Sequence, residues 1–173
     1  MPEPRWLTAD QMRSWLRLQA VVELLPGVLD QQLQRDAQLT HYEYLVLAIL
    51  SDAPERSLRM SDLARRTNAT LPRLSHVVRR LEDRGFVQRA PAPDDGRVTI
   101  ASLTDAGWAK VVASAPGHAR TVLEHVYDRL DEEDVADLNR VLAKVVRGID
   151  PGDRFGALAD DHPAIHDDGT GSR

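Results

Sequence analysis

Between Thr70 and Leu103 the spacing of apolar residues changes once, from that of a helix to that of strands. This switch restricts the fold more than any other feature of the chain. Leu71, Leu74, Val77, Val78 and Leu81 recur at three- and four-residue intervals, which puts them on one face of a helix. Thr70 is a good N-cap residue, and Pro72 falls in the first turn, where a missing N–H is tolerated. Gly85 suits the position just past the C-terminus. Phe86 to Ala90 and Arg97 to Leu103 are then short, partly β-branched runs. The segment between them, Pro91-Ala92-Pro93-Asp94-Asp95-Gly96, is strong turn chemistry, so the two runs read as a β-hairpin.

The rest of the chain reads as helix. Thr8 and Gln11 form a capping box ahead of Met12, Trp15, Leu16, Val22, Leu25, Leu29 and Leu33, and Pro26-Gly27 is expected to kink or split that helix. A second capping box, Thr40 with Glu43, opens a short apolar helix through Leu50. Ser61 is expected to cap a third helix, Asp62 to Arg66. Thr104 restarts helix toward Leu130, past an expected kink at Pro116-Gly117. Asp131 caps a last helix, with Glu132 and Glu133 near its positive end. From Asp150 onward the 24 residues hold six Asp and four Gly with little that is apolar, the composition of a disordered acidic tail.

Helix, short helix, helix and hairpin, in that order, is the winged helix-turn-helix arrangement, whose second helix enters the DNA major groove. The charge distribution fits it. A net charge of −5 argues against nucleic acid only as an average, because Pro54 to Arg97 holds ten Arg against six acidic residues and the remaining 129 residues carry −9. On the helix after Thr70, Pro72, Ser75, His76 and Arg79 lie opposite the apolar face, with Arg73 and Arg80 on the shoulders. No carboxylate appears there before Glu82 and Asp83. Cations and small donors on one face suit acceptor-rich base edges and phosphates. Taken alone, the helix reads equally as a solvated basic helix and the hairpin as a plain surface ribbon; their combination is more specific than either. Arg89 and Arg97 flank the hairpin tip. Arg97 is placed to reach a minor groove, with Asp94 or Asp95 placed to orient it by a salt bridge.

Three runs, Gly85-Phe86-Val87-Gln88-Arg89, Asp95-Gly96-Arg97 and Leu103-Thr104-Asp105-Ala106-Gly107, resemble the wing of the MarR (multiple-antibiotic-resistance regulator) family. So does Leu63-Ala64 leading through Leu74 to Leu81-Glu82. The resemblance spans about residues 39 to 107 by motif. It implies a mainly α fold with a small β-hairpin wing and long flanking dimerisation helices. The segments are then 8–38 for an N-terminal dimerisation helix region, 39–104 for the DNA-binding lobe, 105–149 for C-terminal dimerisation helices, and 150–173 for the tail. It further implies a homodimer that represses transcription from a pseudo-palindromic double-stranded DNA site and is released by a small-molecule effector. By motif position, Ser75, His76 and Arg79 face base edges, Arg97 sits at the wing tip, and Arg73 and Arg80 join the DNA contacts. Arg89 and Asp95 support the wing. The position of Arg79 is often acidic in relatives, which points to a different operator preference.

Family effectors bind between the dimerisation helices and the DNA-binding lobe. That makes Trp15, His41, Tyr42, Tyr44, Trp108 and His118 candidates for lining a pocket, with core or interface packing as the competing role for each. His41 and Tyr44 lie beside a helix N-terminus, which favours an anionic ligand. No metal or other cofactor is expected: His162 and His166 are four apart but fall in the tail, and His118 and His125 are seven apart. Without cysteine there is no thiol nucleophile, disulfide or thiol-based sensing. No phosphate-binding glycine loop, zinc-protease helix or nucleophile elbow is found, so the chain does not read as an enzyme. The longest apolar run, Tyr44 to Leu50, is seven residues against the ~20 of a membrane span, and residues 1–5 lack a signal-peptide core, which points to the cytoplasm. The competing functional class is a winged helix that binds an acidic protein partner through its basic face.

Overall fold

In the computed structural model, which describes residues 4–150 and 152, the chain forms six α-helices and a small three-stranded sheet. Helices α1 (Ala9–Ala37) and α2 (His41–Asp52) each begin with a complete capping box, from Thr8 and Thr40 respectively. A 3₁₀ turn over Pro54–Arg56 leads into β1 (Ser57–Arg59), α3 (Met60–Arg66) and α4 (Leu71–Asp83). Then come β2 (Val87–Pro91), β3 (Thr99–Leu103), α5 (Asp105–His125) and α6 (Glu132–Ile149). The sheet is antiparallel in the order β1-β3-β2, with Ser57 opposite Ser102 and Arg89 opposite Ala101.

The core lies among α2, α3, α4 and the sheet, with Leu47, Leu50, Leu63, Leu74, Val78, Leu81 and Val87 fully or almost fully buried. It continues into the C-terminal half of α1 through Leu33 and Ala37, and into α5 through Val111. The N-terminal half of α1 is different: Met12, Trp15, Leu16, Val21, Val22 and Leu24 are exposed. In α6 no residue is buried, although Val141, Leu142, Val145 and Ile149 stand out on its surface. Among the described residues no helix is long and apolar enough to cross a membrane.

Several expectations need correction. Pro26 does not split α1, which runs through it as one continuous helix, and Pro116 likewise lies inside α5. A proline removes one ladder bond, and here Leu29, Gln32, Leu33 and Ala37 are buried just beyond Pro26, so packing holds the helix across the break. The α-helical part of α5 stops at His125, a 3₁₀ turn over Tyr127–Arg129 carries on toward Leu130, and Arg129 Nη1 donates to the Glu124 carbonyl at 2.7 Å. Ser61 does not cap α3. The strand feeds straight into a helix that starts at Met60, with Arg59 as an N-cap that makes no side-chain bond. Leu71 is 48% exposed, because the first turn of α4 extends beyond the core. The acidic segment from 153 onward, with His162 and His166, lies outside the described residues.

The motif runs meet at one joint. Gly85 takes φ +73°, the left-handed conformation that ends α4. Thr104 Oγ1 donates to the Gly85 carbonyl at 2.7 Å and accepts from the Gly107 N–H at 3.0 Å, capping α5 while fastening it to the end of α4. A Cβ on Gly107 would lie 2.1 Å from the Phe86 carbonyl oxygen and 2.7 Å from Leu103 Cδ1. Gly107→Ala is therefore expected to destabilise the fold by about 3 kcal/mol or more, since backbone must shift to admit the methyl. Urea unfolding measures this, and an unchanged midpoint would contradict so close an approach.

Candidate nucleic-acid interface

Helix α4 turns Leu74, Val77, Val78 and Leu81 into the core, which leaves Pro72, His76 and Arg79 exposed and Ser75 half-buried on the far side. Arg79 Nη2 lies 3.1 Å from His76 Nδ1. A guanidinium can only donate, so Nδ1 is the lone-pair nitrogen and the proton of the neutral ring sits on Nε2. The pair thus presents donors, the complement of the N7 and O6 acceptors of guanine.

The shoulder arginines each have a partner on α2. Arg73 stacks over the Tyr42 ring at 4.8 Å, and Tyr42 is itself fixed by its hydroxyl, 3.0 Å from Thr67 Oγ1. Arg80 Nη2 is 2.8 Å from Glu43 Oε1, and Arg84 Nη1 is 3.8 Å from Glu43 Oε2. The structure therefore places Arg80 on a carboxylate that is only 5% exposed, rather than leaving it free.

At the wing the two aspartates are both paired. Arg97 donates to Asp95 from its backbone N–H at 3.0 Å, from Nε at 3.1 Å and from Nη2 at 3.2 Å, while its side chain remains 92% exposed. Those bonds hold the Asp95 carboxyl below the usual carboxylate range. Asp94 is held by Arg59 at 2.9 Å, reaching from β1. Arg89 donates from its backbone N–H to Glu82 Oε1 at 3.0 Å and from Nε to Oε2 at 2.9 Å, tying β2 to the end of α4. The Arg89 side chain likewise keeps the Glu82 carboxyl low. The tip presents an exposed guanidinium, and both of its neighbouring carboxylates are ion-paired.

Three of the six residues expected at a pocket come together. The His118 ring stands 4.7 Å from Tyr44 and 5.9 Å from His41, at the meeting of α1, α2 and α5. The His41 N–H donates to Asp30 of α1 at 2.8 Å. The other three are apart from this cluster: Tyr42 lies under Arg73, Trp108 lies under Arg56 at 4.1 Å, and Trp15 is exposed on α1. Reading the sequence missed Glu43 and Arg59 as partners of the interface. Glu43 has an obvious local role as the capping-box residue, which conceals its second role.

Burial pushes both His41 and His118 below the ordinary imidazole value of 6.5; Asp30 opposes this for His41, and His41 adds to it for His118. A lowered imidazole favours the folded state when neutral, so this stability is present above about pH 6.5 and declines as pH falls through the lowered values. The expected result is a thermal midpoint that drops between pH 7.5 and pH 5.5, and drops less in His118→Phe. An equal drop in both proteins would count against the pair as its source.

A helix with an exposed cationic face, packed beside a hairpin with an exposed arginine at its tip, defines a winged helix-turn-helix DNA-binding protein. The MarR family model matches residues 39–99. Sco3205, a MarR family transcriptional regulator from Streptomyces coelicolor solved in complex with DNA, is 42% identical, with a TM-score of 0.80 over 86% of this chain and 92% of that one. AbsC, a second MarR family regulator from the same organism, is 34% identical, with a TM-score of 0.79 over 84% of this chain and 98% of its own. The transcriptional repressor IacR of Pseudomonas putida is 28% identical over 120 residues, 69% of this chain and 70% of its length. The chain belongs to the MarR family of transcriptional regulators.

Proposed function

We propose that the protein is a homodimeric repressor that reads a two-fold symmetric operator through α4 and the wing and is released by a small ligand. The observation that carries DNA reading is the pairing of an exposed Arg79–His76 face with an exposed Arg97 at the wing tip. Ser75 joins Arg79 and His76 at base edges, Arg73 contacts phosphate, and Arg89 and Asp95 hold the wing. The DNA complex of Sco3205 supports the mode of binding, and the repressor IacR supports the direction of control.

The dimer is supported by the unpartnered apolar surfaces of α6 and the N-terminal half of α1. A second copy covers both by two-fold symmetry. The ligand is assigned to the junction of α1, α2 and α5, where His41, Tyr44 and His118 converge. Sedimentation and a gel shift on duplex from the gene's own upstream region, at low salt, test the reading together. A folded dimer that shifts this duplex supports it; a folded dimer that shifts no duplex favours the protein-partner class instead.

A further inference from the structure

Three arginines, Arg73, Arg80 and Arg84, share one shoulder of the α4 segment at spacings of seven and four, and two successive residues of α2 hold them. Tyr42 takes Arg73. Glu43, nearly fully buried, takes the other two, and Arg84 also packs over the Phe86 ring at 4.9 Å. The same carboxylate accepts the Thr40 N–H at 2.8 Å, so α2's own cap fixes where it sits. A buried carboxylate with cations this close does not readily give them up, because an unpaired charge would be left in the interior.

We propose that Glu43 is a specificity-determining positioning residue: it withholds Arg80 and Arg84 from the DNA phosphates, so that binding depends on the base-facing and wing arginines. Phosphate contacts carry affinity without sequence information. A recognition helix with every arginine free would bind any duplex tightly. Glu43 leaves the Glu43–Arg80–Arg84 group with one net positive charge instead of two, and orients its cations toward the protein. The inference rests on the DNA-binding reading above.

Glu43→Gln tests it cleanly, because glutamine keeps the shape and also serves the third position of a capping box. Binding to a labelled mixed-sequence duplex is measured against salt. Each phosphate newly neutralised steepens the log–log slope by about 0.9, so the variant is expected to gain roughly 1 to 2 per protomer. Its preference for a duplex selected from genomic DNA over the mixed-sequence duplex is expected to fall about tenfold or more, a scale that matches ordinary specificity ratios losing one contact's worth. Arg80→Gln is expected to leave the slope unchanged when Glu43 is present and to reverse part of the gain when it is not. Asp83→Asn, which removes an exposed carboxylate of the same helix, is expected to change the slope far less.

An unchanged slope in Glu43→Gln, an equal change in Asp83→Asn, or a proportionate loss on both duplexes overturns the proposal. If Glu43→Gln does not fold, Arg80→Gln decides: a slope reduced by about 0.9 per protomer means that Arg80 contacts phosphate in the native protein, and the proposal fails. Wild-type protein that binds neither duplex at low salt removes the DNA-binding reading itself, and is recognised before any variant is compared.

Discussion

Arg79→Ala and Arg97→Ala are each expected to weaken operator binding by roughly 30-fold to 20,000-fold with the dimer intact, which anisotropy titration and sedimentation measure. A good base contact contributes about 1–3 kcal/mol and a two-fold dimer makes each contact twice, so the loss is about 2–6 kcal/mol. The two arginines fail for different reasons. Arg79 is exposed on α4 and bonds to His76 Nδ1, so its removal also frees the imidazole to rotate or change tautomer. Arg97 neutralises Asp95, so Arg97→Ala leaves an unpaired carboxylate at the wing tip, facing phosphate. The double variant Arg97→Ala with Asp95→Ala is therefore expected to bind better than Arg97→Ala alone. Unchanged affinity in both single variants would contradict the interface.

Leu142→Glu combined with Val145→Glu is expected to convert the dimer to a folded monomer and to abolish operator binding at concentrations where the wild type is saturated. Both side chains are exposed in the protomer, so its core does not need them. In a two-fold dimer the pair brings four carboxylates to the interface, and each desolvated charge costs on the order of several kcal/mol. Operator binding fails with the dimer because each half-site alone carries half of the contacts. Sedimentation velocity and circular dichroism separate the outcomes. A dimer that survives both glutamates would place the protomer contact elsewhere; loss of helical signal would mean that α6 supports the fold of its own chain.

Capping was legible because it is chemistry between residues three apart: Thr8, Thr40, Thr70, Thr104 and Asp131 each cap the helix they were expected to open. The hairpin was equally local, and so was the bond between Asp95 and Arg97 across the tip. What escaped depends on distance along the chain. Strand β1 is three residues long, too short for any periodicity, and exists only through pairing with β3. Its Arg59 reaches Asp94 across 35 positions, and Glu43 reaches Arg80 across 37. At Pro26 the opposite holds: a strong local signal does not split α1, whose buried residues begin just beyond it. Among the pocket candidates, His41, Tyr44 and His118 converge while Tyr42 turns toward α4, because neighbouring residues on a helix point about 100° apart.

Whether a two-fold symmetric dimer reads sequence through α4 and the wing is decided by sequencing the genomic fragments that the purified protein retains at moderate salt. One enriched inverted repeat is expected, with half-site centres about 10 base pairs apart, one helical turn or about 34 Å. Retained fragments that share no motif, or a motif without two-fold symmetry, would contradict that mode of reading.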